Sequence, residues 1–146
     1  VIEEMLLQEE TICGVGDAGA HVATICDASY PTFMVPFWSR DRKRGRLLNL
    51  EYLISKQTLK TAHTFGLYDR GVLSSGMKAD INIIDYDKIS LTLPSLSYDL
   101  PSGGKRLVQK SVGYEHTFVA GIEVSHKGEF TGELPGKVIR GSQKLN

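Results

Sequence analysis

The sequence contains no apolar run close to the ~20 residues that a membrane-spanning helix requires. It also lacks an excess of charge of either sign, because 17 Lys and Arg residues balance 17 Asp and Glu residues over its 146 positions. A neutral chain does not favour binding to nucleic acid or to an anionic membrane surface. We therefore expect neither a nucleic acid nor a membrane among its partners.

Cysteine is scarce. Cys13 and Cys26 are too few for a disulfide framework, and their spacing is not that of a C-x-x-C motif. There is also no basic start followed by an apolar segment, as a secretory signal would have. We therefore expect reduced thiols in a cytoplasmic protein. Residues 1–7 have helical spacing with no capping residue before them, so we interpret the chain as part of something longer.

The first half of the chain predicts helices around one short strand. Apolar residues recur at helical spacing in 1–8, and the apolar stretch 11–15 is typical of a short buried strand. A helix is predicted over 32–40, with Pro36 causing a kink or an early end. The strongly charged run 40–46 follows, and we interpret it as a solvated helix end rather than a phosphate contact.

The clearest helix is predicted over 50–65. Asn49 is a good N-cap, apolar residues follow at helical spacing, and Gly66 suits the position just past the C-terminus. Beyond Gly66, glycines are frequent and separate short segments that predict β-strands. This change in composition predicts two domains, residues 1–66 and 67–146.

The second half predicts short strands and tight turns. Residues 79–86 partly alternate and indicate a strand, whereas 91–105 carry prolines and glycines and indicate a long ordered loop. Two short apolar runs within 117–124 flank Ala120-Gly121, which predicts a tight hairpin. A further turn is predicted at Lys127-Gly128.

A glycine-rich turn around Asp17 follows the predicted strand. Gly14, Gly16 and Gly19 match the G-x-G-x-x-G pattern of dinucleotide-binding folds. That fold also needs an immediate helix and a second strand ending in an acidic residue, and neither is indicated here. Asp17 would moreover place a carboxylate where a pyrophosphate lies, and like charges repel. The dinucleotide-binding interpretation is therefore the weaker one.

Two other interpretations of Asp17 stay open on the residues alone. The carboxylate could stand at the C-terminal end of a strand of a (β/α)₈ barrel, where such enzymes collect catalytic groups. It could equally be a turn aspartate that satisfies only its own backbone.

Three sets of residues resemble the C-terminal end of the metal-dependent amidohydrolase superfamily. The likeness is greatest to its D-aminoacylase or N-acyl-D-amino-acid deacylase branch, and it covers essentially the whole chain. The first set, 16–21, is the turn itself. The second set is similar to the family's crossing from the last helix into a small β domain, and it comprises 61–67, 69–73 and 76–81. The third set is similar to the C-terminal tail of that branch, and it comprises 99–104 and 132–141.

The resemblance implies an α/β plus β fold, with the last strand–helix unit of a metal-dependent (β/α)₈ hydrolase barrel followed by part of a small β-sandwich. It implies hydrolysis of a C–N amide bond in N-acyl (D-)amino acids. Asp17 would be the catalytic proton carrier and a ligand of a divalent metal, with zinc expected. His21 would contact the substrate or a residue that binds the metal, or else it would form only a local hydrogen bond.

The same resemblance implies that the remaining metal ligands lie outside this chain, which has no H-x-H pair. His63, His116 and His126 are predicted to lie far from Asp17. The isolated chain is then expected to be inactive, and to form a homo-oligomer or to require the missing barrel segment. The alternative is a non-catalytic binding or assembly module.

Overall fold

The computed structural model describes residues 1–14, 16–19 and 21–144. The helices lie in the first half of the chain: α1 (Ile2–Leu7), α2 (Tyr30–Pro36), α3 (Leu50–Gln57) and α4 (Leu59–Thr64). In the described part of the chain, no helix is both long and apolar enough to cross a bilayer.

The strand predicted over 11–15 is wrong for the residues that the structure describes. Residues 11–14 are not a strand, and Val15 lies outside the described residues. A parallel strand is stabilised by hydrogen bonds to neighbours on both sides. All the strand pairs that the structure describes are antiparallel and lie beyond residue 80.

The helix predicted over 32–40 begins two residues earlier, and Pro36 changes its form without ending it. The chain continues from Pro36 as a π-helical turn, Phe37–Asp41. Arg42 N donates to Phe37 O at 2.9 Å, which is the wider i→i+5 spacing of a π turn. Because proline has no N–H and its ring crowds the preceding turn, a change of register at this point is expected.

The helix predicted over 50–65 is divided at Thr58. The predicted cap is confirmed, since Asn49 Oδ1 accepts from Tyr52 N at 3.0 Å, and Gly66 follows the helix with φ +72°. Thr58 has φ −116° and ψ −86°, so α4 starts afresh after it. The Thr58 hydroxyl donates to Ile54 O at 2.8 Å, a back-bond of the kind that bends helices.

The hydrophobic core lies among the helices. Trp38, Leu48 and Leu53 are buried together, and Leu6, Leu7, Met34 and Phe37 pack against them. The guanidinium of Arg42 stacks 4.3 Å above the Trp38 ring and pairs with the carboxylate of Glu3 at 2.7 Å. Part of the charged run 40–46 therefore packs on the core.

The strands form one four-stranded antiparallel sheet and two strand pairs. The strands are β1 (Ile81–Ile84), β2 (Ser90–Leu91), β3 (Ser95–Leu100), β4 (Gly104–Val108), β5 (Ser111–Val112), β6 (Tyr114–Val119), β7 (Ile122–His126) and β8 (Glu129–Phe130). The sheet has the order β1-β6-β7-β8, and the pairs are β2 with β5 and β3 with β4.

The loop predicted over 91–105 is wrong, because β3 and β4 form a hairpin there. Pro101 and Gly103, which indicated a loop, lie in the turn between the strands. Pro94 precedes β3, and Gly104 begins β4. Arg106 Nη2 and Asp99 Oδ2 lie 2.6 Å apart across the pair. This contact holds the pKa of Asp99 at about 2.

The hairpin predicted at Ala120-Gly121 is confirmed. Both turn residues have positive φ, 51° and 80°, as the type I′ turns of two-residue hairpins require. The pairing is not regular along its whole length, because a bulge shifts the register between Thr117 and Phe118.

Side chains of α2 and the π turn reach the strand-rich half of the chain. Thr32 Oγ1 and the Tyr114 hydroxyl lie 2.8 Å apart, and Arg40 donates to the carbonyls of Tyr86 and Ile89. Arg40 was predicted to lie at a solvated helix end, so that interpretation is wrong for this residue. The division into domains 1–66 and 67–146 stays a prediction.

Candidate functional site

The turn at Asp17 is held by a second aspartate that the sequence did not single out. Asp27 Oδ2 accepts from Asp17 N at 2.9 Å, and Asp27 Oδ1 accepts from Ala18 N at 2.7 Å. Both carboxylate oxygens of Asp27 therefore accept hydrogen bonds from the backbone of the turn. The conformation of the Asp17 main chain is fixed without use of its side chain.

Gly16 makes this close approach possible. A Cβ at Gly16 would lie only 3.0 Å from Asp27 Oδ1 and 3.1 Å from its Cγ, a tighter contact than side chains normally make. A Cβ at Gly14, by contrast, would meet no atom within 4 Å. A glycine at position 16 is therefore explained by the close contact with Asp27 of the same chain.

These contacts also weaken the dinucleotide-binding interpretation. The backbone N–H groups of Asp17 and Ala18, which a phosphate would need, already donate to a carboxylate of the same chain. Residues 22–24 form a turn where the fingerprint requires a helix.

The side chains of Asp17 and His21 are both exposed. In the described stretches 1–14, 16–19 and 21–144, neither side chain has a hydrogen bond or an ion pair. His21 has φ +49°, and its carbonyl accepts from Thr24 N at 2.7 Å, so its backbone closes the next turn. The predicted motif 16–21 is described except for Ala20, which lies outside the described residues.

Two further residues hold the ends of the segment that carries Asp17. On one side, Lys56 Nζ donates to Gln8 O and Thr11 O, each at 2.7 Å. On the other side, Leu107 N in β4 donates to Val22 O at 2.8 Å. The turn is therefore tied to α3 before Asp17 and to the β3–β4 pair after it.

Cys13, four residues before Asp17, is half-buried, and burial raises the pKa of its thiol. A thiol with a raised pKa stays protonated at neutral pH and is a poor nucleophile and metal ligand. This segment therefore offers the Asp17 carboxylate, and not a thiolate, as its reactive group.

The structure gathers a second set of polar side chains elsewhere, on the β6–β7 hairpin. His116 Nδ1 lies 2.7 Å from Glu123 Oε1, and His126 Nδ1 lies 3.0 Å from the same oxygen. The two Nδ1 atoms are 3.3 Å apart. The hydrogen bond to His116, and then that to His126, lowers the pKa of Glu123.

Within the part of the chain that the structure describes, this set is the one group of three possible metal ligands, and it does not include Asp17. The sequence analysis placed His116 and His126 in the β-rich half without associating them. His63 lies on α4 and packs against the Tyr68 ring instead, at 5.2 Å between centroids.

Comparison with known proteins identifies the family. A family model described as "Amidohydrolase family" matches residues 2–124. The chain belongs to this family. The relationship that the motifs around Asp17 and 61–81 indicated is thereby confirmed, including its extension over most of the chain.

Two individual relatives lie in the D-aminoacylase-like branch of the amidohydrolases. N-acyl-D-glutamate deacylase from Alcaligenes xylosoxydans xylosoxydans is 32% identical over 98 residues, which are 67% of this chain and 18% of that protein. A crystal structure of D-aminoacylase, said to define a novel subset of amidohydrolases, is 27% identical with a TM-score of 0.53. This match covers 70% of the present chain and 19% of the D-aminoacylase chain.

The chain thus matches about a fifth of the length of these relatives. Amidohydrolases are generally metal-dependent hydrolases, and the mixed helix and strand content fits the structural match. Among the described residues, Asp17 belongs to no group of three possible metal ligands.

Proposed function

We propose that this chain is the C-terminal part of a longer amidohydrolase that hydrolyses the amide bond of N-acyl-D-amino acids. The observation that carries the proposal is the state of Asp17. Its backbone is fixed by Asp27, while its carboxylate is exposed and has no partner among the described residues. A substrate amide of this class is supported by the similarity of the chain to N-acyl-D-glutamate deacylase.

In this proposal Asp17 acts as general base and then as general acid. Its carboxylate accepts a proton from the water that attacks the amide carbon. It then returns that proton to the leaving amine as the C–N bond breaks, which leaves the carboxylate ionised for the next cycle. A positioned carboxylate of this kind typically contributes ~10²–10⁴ in rate. His21, four residues later, is proposed to contact the substrate.

The proposed metal is a divalent ion, with zinc expected, and Asp17 is proposed as one ligand. A catalytic zinc site usually has three protein ligands. Because Asp17 is not grouped with two others here, the remaining ligands would come from residues outside this chain. We therefore derive no step of the reaction from the metal.

The first test uses the full-length protein that carries this chain. Asp17→Asn keeps the shape of the side chain but cannot accept the proton, so hydrolysis of N-acetyl-D-glutamate should fall at least ~10²-fold. Asp87→Asn is the matched control, since Asp87 is an exposed aspartate in a turn of the β-rich half. Near-normal turnover by Asp17→Asn would disprove its role.

The second test separates the chain from its surroundings. The 146-residue chain alone is expected to show no deacylase activity with or without added zinc. Comparing N-acetyl-D-glutamate with its L enantiomer in the full-length protein tests the proposed stereochemistry. Equal rates on the two enantiomers would leave an amidohydrolase but exclude the D-specific substrate class.

An assembly role is the second candidate, and exposed apolar side chains favour it. Phe130 and Leu134 are more than 90% exposed, and Leu73, Leu93 and Val138 are at least 80% exposed. Surfaces of this kind are usually covered by another chain or segment. We propose that a second copy or the rest of the barrel covers them in a cytoplasmic protein. Light scattering over a range of concentrations tests this, and a monomer at all of them would argue against self-association.

A further inference from the structure

The sheet brings His116, Glu123 and His126 to one face of the β6–β7 hairpin. His116 and His126 are direct cross-strand partners, and partners point to the same face. Glu123 and His126 are three residues apart on β7, so a regular strand would place them on opposite faces. Glu123 pairs with Phe118, which is two residues from His116 and lies on the same face. The bulge between Thr117 and Phe118 adds one residue to β7 after Glu123, and this extra residue brings His126 to the face that His116 and Glu123 share.

Hydrogen bonding alone cannot satisfy the three atoms that meet there. An ionised glutamate, its ordinary state at neutral pH, can only accept, and each imidazole Nδ1 either donates or accepts. If both Nδ1 atoms donate to Glu123, two N–H groups face each other at 3.3 Å. If one Nδ1 accepts from the other, its lone pair faces the carboxylate oxygen, 2.7 or 3.0 Å away. One of the three contacts is unfavourable in every arrangement.

We propose that His116, Glu123 and His126 form a binding site for a zinc-like divalent cation on the surface of this hairpin. A cation between the three donors accepts all three lone pairs at once. Tetrahedral zinc with bonds of ~2.0–2.1 Å separates its ligands by about 3.3 Å. The donor atoms here are 2.7, 3.0 and 3.3 Å apart, so the shortest separation needs to open by about 0.6 Å and the longest already fits.

The donor set decides which cation fits. Two imidazoles and one carboxylate suit zinc and its neighbours, whereas calcium and magnesium prefer oxygen ligands. The side chains are between one-third and about one-half exposed, so a fourth position is open to water. Glu129 lies directly opposite His126 on β8 and adds a negative charge to the same face. The packing of the Phe118 ring along the His116 ring orients the imidazole.

The site is separate from the proposed role of Asp17, and the test keeps them apart. Isothermal titration of ZnCl₂ into the 146-residue chain should show one site, and CaCl₂ should show none. His126→Gln and Glu123→Gln should each weaken zinc binding at least ~100-fold, since even loss of a ligand's outer partner costs 10–100-fold. His63→Gln and Asp17→Asn should leave the titration unchanged.

Cobalt gives a second readout that does not depend on affinity. Co²⁺ at a four-coordinate site with two imidazoles should produce an intense visible absorption band that zinc displaces, and His116→Gln should abolish the band. Circular dichroism of each variant checks that the fold is retained. Absence of zinc binding by the unaltered chain would overturn the proposal. So would zinc binding that survives both histidine substitutions, or that is lost equally in His63→Gln.

Discussion

Lys56 is the buried group whose removal tests how the segment leading to Asp17 is held. The residue is 1% exposed, and its ammonium donates to the carbonyls of Gln8 and Thr11 and to the Thr11 hydroxyl at 2.7–2.8 Å. Lys56→Met keeps an unbranched apolar stem and removes the donor. Two backbone carbonyls then lose their partner, at a cost of about 1–3 kcal/mol each, and relief of the buried charge offsets part of it. We expect a net loss of about 3 kcal/mol.

Thermal unfolding followed by circular dichroism measures this loss. Unfolding entropy of ~2.1 cal/mol/K per residue gives about 0.3 kcal/mol/K for a chain of this size, so Tm should fall by roughly 10 °C. Lys60→Met is the matched control, one helical turn away, because Lys60 pairs with an exposed carboxylate of Glu9 and donates to no backbone carbonyl of the described residues. Its effect should be much smaller. A Lys56→Met variant as stable as the control would refute the anchoring role.

The pH dependence of the same variant gives an independent check. Burial lowers the pKa of Lys56 below its ordinary value. The unfolded chain therefore keeps this proton to higher pH than the folded chain, and stability contributed by the group increases as pH rises through the alkaline window between the two pKa values. Lys56→Met lacks this increase. The difference in unfolding free energy between the original chain and the variant should widen from neutral to alkaline pH.

Two pairs of glycine substitutions test close backbone contacts. Gly113→Ala would place a Cβ 2.6 Å from Ile89 Cα at a positive φ, and should lower the free energy of unfolding by more than about 3 kcal/mol. Gly128→Ala has a similar φ but lies in open space, so it should lower that free energy by only about 1 kcal/mol. Urea unfolding measures both. Gly16→Ala should displace the carboxylate that holds the turn and lower deacylase turnover of the full-length protein about 10-fold. Gly14→Ala should leave that turnover unchanged, and equal effects of the two would contradict this account.

Features set by neighbouring residues could be predicted from the sequence. The Asn49 cap, the Gly66 stop and the turn at Ala120-Gly121 each depend on the chemistry of one or two adjacent residues. The strand predicted over 11–15 depends instead on neighbours that a local pattern does not reveal. The division of the helix at Thr58 depends on its hydroxyl back-bond, which a helical pattern also conceals.

In the β6–β7 hairpin, a one-residue bulge makes the candidate metal site unpredictable from the sequence. A two-residue turn at Ala120-Gly121 with regular pairing would set His116 opposite Ser125 and His126 opposite Glu115. The bulge moves the register by one residue, so that His116 faces His126 instead. Bulges have no strong local signature, and the association of the two histidines with Glu123 could be found only from the structure.

The candidate site around Asp17 combines a fixed backbone with a free side chain. Asp27, Lys56 and Leu107 all form hydrogen bonds with the main chain of the segment, and none of these hydrogen bonds involves the Asp17 carboxylate. Variants of these anchors should therefore lower stability, because they release the backbone. Asp17→Asn should leave stability of the 146-residue chain within about 0.5 kcal/mol, since it removes no contact that the structure describes.

This difference separates a catalytic aspartate from a turn aspartate. If Asp17 served only its own turn, Asp17→Asn would lower the Tm of the chain, and Asp27→Asn would matter less. If Asp17 is the proton carrier, the order is reversed: Asp27→Asn weakens two charge-assisted hydrogen bonds and lowers Tm, while Asp17→Asn keeps Tm and loses turnover. Measuring both variants by thermal unfolding, and both again for deacylase activity in the full-length protein, decides between the two roles.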